Sequence, residues 1–397
     1  MDNEKINKKL LDGIRVIDFT GFSAGPSCSK ILQNLGAEVI LVESPAGSTT
    51  RTNPHLYDFY SIGKKSLVLD LKSEKGKEAM YRLVRTADVF VHNFRNKAIV
   101  KLGLDYESLK AINPGIIWAA LDGYGLAGPD KDLPGYDTVA FWSRGGMLYD
   151  YADKGTVMNP PLAVGDMAAG HFLATAISAA LYNRTRTGEG KKVYVSLYGT
   201  ALYLNNEQIV ESQYGSSWPT SRKTPKRSLL NTYKAGDGKW FTLLTTNFDR
   251  DFPSIMKVAG REDLIGCPKW KNIFDTMDAG APEIVEILDE AFKNKPREQI
   301  LSELKSYDVA CAEIRTTTDC YTDPQAWDNK YLFKYTTREN KEVIMAAAPV
   351  KIGDNENPEF KLGPVLGQDS AQLLAELGYS AGEIEEMANN KTTIIAG

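Results

Sequence analysis

IRVIDFTGFSAGPSCSKILQNLGAEVILVE, residues 14–43, reads as strand, loop, helix and strand. Ile14–Phe19 is a short apolar, β-branched run of strand length. TGFSAGPS is made of small residues and turn formers, and CSKILQNLG then carries apolar residues at helical spacing with Gly36 as its C-cap. Glu38–Glu43 is the next strand. Two strands joined through a helix form a βαβ unit, which implies a parallel sheet and a right-handed crossover.

The alternation continues outward from this unit. Ser66–Leu71 reads as a strand, Glu74–Thr86 as a helix, Val89–His92 as a strand, Tyr106–Ile112 as a helix and Ile116–Leu121 as a strand. The pattern predicts a doubly wound α/β sheet. Between Gly123 and Pro161, glycine, proline and aromatics replace the periodicity, so long loops that build a site are expected. The helix HFLATAISAALYNRT and the strand KKVYVSLYG close that region. SQYGSSWPTSRKTPKRSLL, residues 212–230, has the turn formers of a linker. A second unit starts near Asn231, with a strand pair around Tyr233–Thr246 broken by AGDGK and helices over about 251–306. Gly363-Pro364-Val365-Leu366-Gly367 then precedes the helix SAQLLAELG and a short acidic helix.

Composition narrows the function classes. A chain of 397 residues is expected to form two domains, or one large domain with a smaller insertion. With 43% hydrophobic and 25% charged residues it has a globular composition, and a net charge of −4 argues against general nucleic-acid binding. No apolar run is read as approaching the roughly 20 residues that cross a bilayer, and MDNEKINKKLLDG lacks the apolar core of a signal peptide, so no membrane role and a cytoplasmic location are expected. Cys28, Cys267, Cys311 and Cys320 show no paired spacing and read as free thiols. His55, His92 and His171 are scattered without an H-E-x-x-H motif, so no metal site is expected.

Chemistry concentrates in AVGDMAAGHF, residues 163–172. Asp166 stands where a long apolar helix begins, so it can be an N-cap that complements the positive helix end. It can equally be a nucleophile that takes an activated acyl group as a mixed anhydride. Gly165 offers backbone freedom and the following AAG offers room for a bulky reactant, features that a cap does not need. The preceding loop GYDTVAFWSRGGMLYDY supplies apolar bulk to exclude water and N–H groups for an oxyanion. A nicotinamide site competes for the first βα turn, with Glu43 as its ribose acid, but GFSAGP lacks G-x-G-x-x-G. The pair Lys64-Lys65 and the run Asn93-Phe94-Arg95-Asn96-Lys97 can be solvated loop charge, or with the Ser23 turn can clamp a nucleotide-bearing carrier.

Several blocks together resemble the class III coenzyme A transferases of the CaiB/BaiF type, the family of formyl-, carnitine- and aryllactate-CoA transferases. They are residues 10–43, KKSLVLDLKSEKGK, VFVHNFRNKAIVKLGLDYESLKAINPGIIW, GYGLAGP, GDMAAG, TGEGKKVYVSL and GPVLGQDSAQLLAELGY. The resemblance implies an α/β fold with a Rossmann-like parallel sheet in the large domain, a smaller α/β domain, and an interlocked homodimer. It implies that residues 1–211 and 326–397 form the large domain, the latter including a return linker, with the linker at 212–230 and the small domain at 231–325. It implies Asp166 as the nucleophile. CoA contacts are implied for Ser23, Ala24, Lys64, Lys65, Asn93, Phe94, Arg95, Lys97 and Tyr124, with no tightly bound cofactor and a CoA thioester as substrate.

Three departures refine the expectation. Ser23 replaces the glutamine of some formyl-CoA transferases, and the glycine-rich flap of oxalate-specific members is not evident. Related racemases carry Gly-His-Asp where this chain has Gly135-Tyr136-Asp137, and moving an α-proton between faces needs that second acid/base group, so transfer is favoured. The run from Gly128 to Asp137 with AFWSRGG is similar to the branch that activates 2-hydroxy acids in amino-acid fermentation. That implies CoA movement from a 2-enoyl-CoA such as isocaprenoyl-CoA to (R)-2-hydroxyisocaproate, or from cinnamoyl-CoA to phenyllactate. Phe141, Trp142, Tyr149 and Tyr151 suit either apolar tail.

Overall fold

The computed structural model describes residues 9–350 and 361–396. Residues 351–360 of the expected return linker lie outside that range. The chain divides into two compact units. The first comprises Met1–Met147, Pro160–Val210 and Gln325–Gly397; the second comprises Leu148–Asn159 and Glu211–Pro324. Residues of the expected 212–230 linker therefore group with the second unit, as do 148–159.

The first unit begins with β1 (Arg15–Phe19), α1 (Ala24–Asn34), β2 (Glu38–Glu43), α2 (Pro54–Ser61) and β3 (Lys65–Val68). It continues with α3 (Glu74–Thr86), β4 (Val89–His92), α4 (Asn96–Lys101), α5 (Tyr106–Ile112) and β5 (Ile117–Asp122). A π-helix at Asp137–Ser143 follows, and then the short α6 (Met147–Asp150), of which only Met147 belongs to this unit. After it come α7 (Val164–Thr187), β6 (Lys192–Ser196), α8 (Leu197–Leu204) and α9 (Asn206–Ser212), whose last two residues belong to the second unit. The six strands form one parallel sheet in the order β3-β2-β1-β4-β5-β6. Winding runs one way from β1 and the other way from β4, so the loops leaving those two strands diverge at the carboxyl edge. That divergence opens a crevice, the usual ligand position of doubly wound sheets.

Alternation along the strands feeds two cores. Ile17, Ile40, Leu67, Phe90 and Trp118 belong to a buried cluster with Met80 and Leu83 of α3 and Leu109 of α5. The intervening Val16, Val39, Val91 and Ala119 are buried as well, which is why these strands read as continuous apolar runs. α1 and α7 pack closely; a Cβ on Gly170 would collide with Ser27 Oγ and the Ala24 carbonyl. α1 starts earlier than the sequence reading, which began it at Cys28. Pro26 lies in its first turn, where a missing N–H costs nothing because that group has no helical acceptor.

The second unit pairs β7 (Leu230–Lys234), β8 (Trp240–Leu244) and, later in the chain, β9 (Ala310–Glu313) as an antiparallel sheet. α10 (Phe248–Val258), α11 (Ala281–Phe292) and α12 (Arg297–Ser306) bury Tyr233, Phe241, Phe252, Phe292 and Leu304 against one another. Beyond it come α13 (Pro324–Asp328) and the hairpin β10 (Leu332–Thr336) to β11 (Glu342–Ala346), which the sequence reading left unassigned. α14 (Ser370–Glu376) and α15 (Ala381–Asn389) add Leu373, Ile384 and Met387 to the first core.

One expectation needs correction. α7 is long and apolar enough, by length and composition alone, to cross a bilayer. Its Leu173, Ala174 and Ile177 are buried in the first unit, so it reads as a core helix.

Candidate active site

α7 opens on an unusual residue: Ala163, its N-cap, has φ of 59° and no side chain that can cap. Asp166 sits two residues into the helix and is not the cap, which corrects that reading of the sequence. The anion at the helix start is Asp137. Its Oδ1 accepts the Asp166 backbone N–H at 3.1 Å, its Oδ2 accepts Trp142 Nε1–H at 3.2 Å, and the N–H groups of Gly165 and Ala163 also favour its charge. Burial pushes the Asp137 carboxyl above the usual range and these hydrogen bonds oppose the rise. The same approach explains Gly165. Its φ is unremarkable, but a Cβ there would collide with Asp137 Oδ1 and the Phe141 ring. The small residues after Asp166 likewise serve helix packing: Ala169 is fully buried, and Gly170 contacts α1.

Freed from capping, the Asp166 carboxyl has no ion-pair partner among the described residues. Burial, followed by the charge of Asp137, raises its pKa to about 7. A carboxylate so poorly solvated is a stronger nucleophile than an exposed one, and strongly shifted groups in a cleft mark functional sites. Tyr60 of α2, 3% exposed, brings its hydroxyl beside Ser23 and into the field of Asp166, and lies 4.0 Å from Met167 Sδ. The sequence reading left Tyr60 out, because no local motif links α2 to α7.

Asp166 lines a cavity of about 140 Å³ at the carboxyl edge of the sheet, together with Phe22, Ala24, Asn93, Phe94 and Arg95. Asn93 ties the two diverging loops together: Gly21 N–H donates to its Oδ1 at 2.9 Å, and its Nδ2 donates to the Gly21 carbonyl at 2.7 Å. Phe94 stacks on Phe19 with ring centroids 4.6 Å apart. Phe22, a residue 54% exposed, is held at φ of 60°, the kind of strained backbone that clusters at functional sites. Arg95 and Lys131 both line the cavity. Lys97 is exposed and pairs with Asp132 at 3.1 Å, while Tyr124 lies under the Arg144 guanidinium. Ser23, as N-cap of α1, stands at the same edge.

Lys64, Lys65 and Glu43 are placed elsewhere. Lys64 Nζ is buried, donating to Asp18 Oδ2 at 2.7 Å and Ser29 Oγ at 2.8 Å, so its charge anchors α1 to β1. Lys65 begins β3 and pairs with Glu38 at the start of β2, the edge opposite the crevice. The structure therefore does not bring these two lysines to the cavity. Glu43 accepts from Arg51 through both oxygens, from Ser48 N–H and from Ser66 Oγ, so it is not free to hold a ribose. Among the described residues no group of three His, Cys, Asp or Glu could hold a metal ion, and the four cysteines are unpaired.

The chain matches the family model described as CoA-transferase family III over residues 11–370. It is 35% identical to the cinnamoyl-CoA:phenyllactate CoA-transferase of Clostridium sporogenes, covering 98% of each chain. It is 33% identical to the (R)-2-hydroxy-4-methylpentanoate CoA-transferase of Clostridioides difficile, covering 96% of this chain and 99% of that one. A crystal structure of a CAIB/BAIF family protein from Brucella suis superposes with a TM-score of 0.79 at 28% identity, covering 94% of this chain and all of the other.

Proposed function

Because this chain belongs to CoA-transferase family III and is a CoA-transferase, we propose that it moves CoA from a 2-enoyl-CoA to an (R)-2-hydroxy acid, with Asp166 as nucleophile. The Asp166 carboxylate attacks the donor thioester, giving a mixed anhydride and CoA thiolate. The thiolate then attacks the aspartyl carbonyl, forming an aspartyl-CoA thioester and releasing the donor acid. The hydroxy acid's carboxylate takes the aspartyl group as a second anhydride and frees the thiolate, which attacks the substrate acyl carbon and restores Asp166. One thioester replaces another, so no external energy source is needed. Water must stay out, since either intermediate hydrolyses.

The observation that carries this reading is the unpaired Asp166 carboxyl, raised to about 7 in a cavity at the crevice between β1 and β4. We assign CoA contacts to Ser23, Ala24, Asn93, Phe94, Arg95, Lys97 and Tyr124, and no longer to Lys64 and Lys65, whose ammonium groups pair within the protein. Tyr60 offers a donor for the tetrahedral oxyanion. The two relatives named for phenyllactate and 2-hydroxy-4-methylpentanoate support the substrate class, and the apolar walls of the cavity suit either tail. Homodimerisation is part of the proposal, supported by Tyr182, Tyr203 and Leu204, which the first unit leaves exposed; a monomer in sedimentation would refute that part. A cytoplasmic setting fits CoA-linked chemistry.

The experiment offers cinnamoyl-CoA and 4-methylpent-2-enoyl-CoA with the matching (R)-2-hydroxy acids and follows products by mass spectrometry. New 2-hydroxyacyl-CoA is expected, together with an acylated or CoA-bearing peptide that contains Asp166. Turnover with no such peptide ever recovered would sink the mechanism.

A further inference from the structure

The cavity lined by Asp166 also reaches the ends of β4 and β5, where His92 and Asp122 line it among Trp118, Leu121, Leu126 and Leu197. His92 is 2% exposed, and neither ring nitrogen makes a hydrogen bond among the described residues; the same is true of Asp122 Oδ2. The other Asp122 oxygen accepts the Gly125 N–H at 2.5 Å. Orphaned buried polar groups are rare, because the hydrogen bonds lost to water are normally replaced. Two of them in one cavity, beside the reacting carboxyl, call for a ligand.

Their protonation narrows its chemistry. Burial, followed in effect by the charge of Lys192, pushes His92 down to about 3, so the ring is neutral; the Phe94 backbone favours the charged form but closes no hydrogen bond with the ring. A neutral imidazole offers one donor and one acceptor. Burial raises Asp122 above the usual carboxylate range, opposed by the N–H groups of Gly125 and Tyr124. Arg95 and Lys131 line the same cavity, and Lys192 lies over the Trp118 ring. Among the described residues, however, no cation pairs with Asp122 or bonds His92, so the two orphaned groups themselves present only neutral-ring and carboxyl hydrogen bonding to a ligand. The ring packs on Trp118 with centroids 4.5 Å apart, so its edge is held in place.

Resting on the CoA-transferase reading above, we propose that His92 and Asp122 bind a neutral group of the substrate that both donates and accepts hydrogen bonds. That chemistry has two sources in this reaction: an amide of the pantetheine arm, or the 2-hydroxyl of the acid.

The test compares His92→Phe, His92→Gln and Asp122→Asn with the parent protein in three measurements. In thermal melts without substrate, His92→Phe keeps the ring packing and removes the orphaned nitrogens, so its melting temperature is expected to rise by about 2–4 °C. A fall of similar size would mean that the nitrogens serve the fold and would overturn the proposal. By titration calorimetry with CoA and with pantetheine, about tenfold weaker binding of both by His92→Phe, with recovery in His92→Gln, assigns the site to the pantetheine amide. In competition between a 2-hydroxy acid and its 2-deoxy counterpart, loss of the parent's preference in His92→Phe or Asp122→Asn assigns the site to the hydroxyl. Parent-like binding and parent-like preference in every variant would refute it. Acylation of Asp166 is followed in the parent separately: its absence defeats the transferase mechanism while the calorimetry still reads the His92 site.

Discussion

Asp137 Oδ1 and the backbone nitrogen of Asp166 lie 3.1 Å apart, and that bond separates two roles that the sequence merges in one residue. Asp137 takes N–H groups at the start of α7 that have no helical acceptor. Asp166 is left unpaired in the cavity, with its charged form disfavoured first by burial and then by Asp137.

Turnover is therefore expected to follow ionisation of Asp166. With a folded-state value of about 7, kcat/KM rises with pH through neutrality and levels off above it. Replacing Asp137 by Asn removes a negative neighbour, so the acid limb should move to lower pH, though burial keeps it above the ordinary carboxylate range. An acid limb that stays in place in Asp137→Asn would show that the two carboxyls are not coupled.

Stability should report the same group with the opposite sense. Asp166 is raised in the folded state above its ordinary 3.8, so its ionisation opposes folding at pH above 7, and the penalty fades as pH falls toward 4. Asp166→Asn is thus expected to abolish transfer yet melt a few degrees higher at pH 8, with the difference vanishing near pH 4. A mutant that is less stable at pH 8 would restore a structural role for the side chain.

Gly165→Ala is expected to lose both fold stability and activity. The new methyl group would collide with Asp137 Oδ1 and Phe141, and overpacking of this kind costs about 1–3 kcal/mol. Chemical denaturation should show that loss, and the Asp137 cap should be displaced with it. Unchanged denaturation midpoint and turnover would contradict the packing account.

Lys64→Met distinguishes the buried ion pair from a phosphate clamp. It strands the Asp18 carboxylate, whose partners reduce to Thr20 and Ser29, and removal of one member of a buried pair costs about 3–5 kcal/mol. Stability should drop sharply and be largely recovered in the Lys64→Met, Asp18→Leu double variant. Weaker CoA binding with an unchanged melting temperature would instead return Lys64 to the carrier site.

Much of this was legible in advance for a physical reason. The βαβ period of residues 14–43 and its repeats are local, and each strand and helix signals itself through its own spacing. Asp166 was legible as a residue out of place, a carboxylate among alanines and glycines. The elements that went unread are those stabilised from a distance. α4 is too short to show a period, and the π-helix at Asp137–Ser143 is tied through Asp137 to the start of α7. The β10–β11 hairpin depends on its packing against Ile62.

What the sequence by itself determined is the order of strands and helices, the parallel sheet they imply, and the presence of one anomalous carboxylate at a helix start. Only the tertiary structure decided which side chains share a solvent-poor space. Lysines 64 and 65 look alike in the chain, yet one is buried on Asp18 and the other is held at the far edge of the sheet by Glu38. Tyr60, Asp137 and Asp166 are distant in sequence, yet burial puts them in one electrostatic environment. Spacing along a chain specifies local conformation, whereas desolvation and charge coupling depend on distances that exist only after the sheet and its helices have packed.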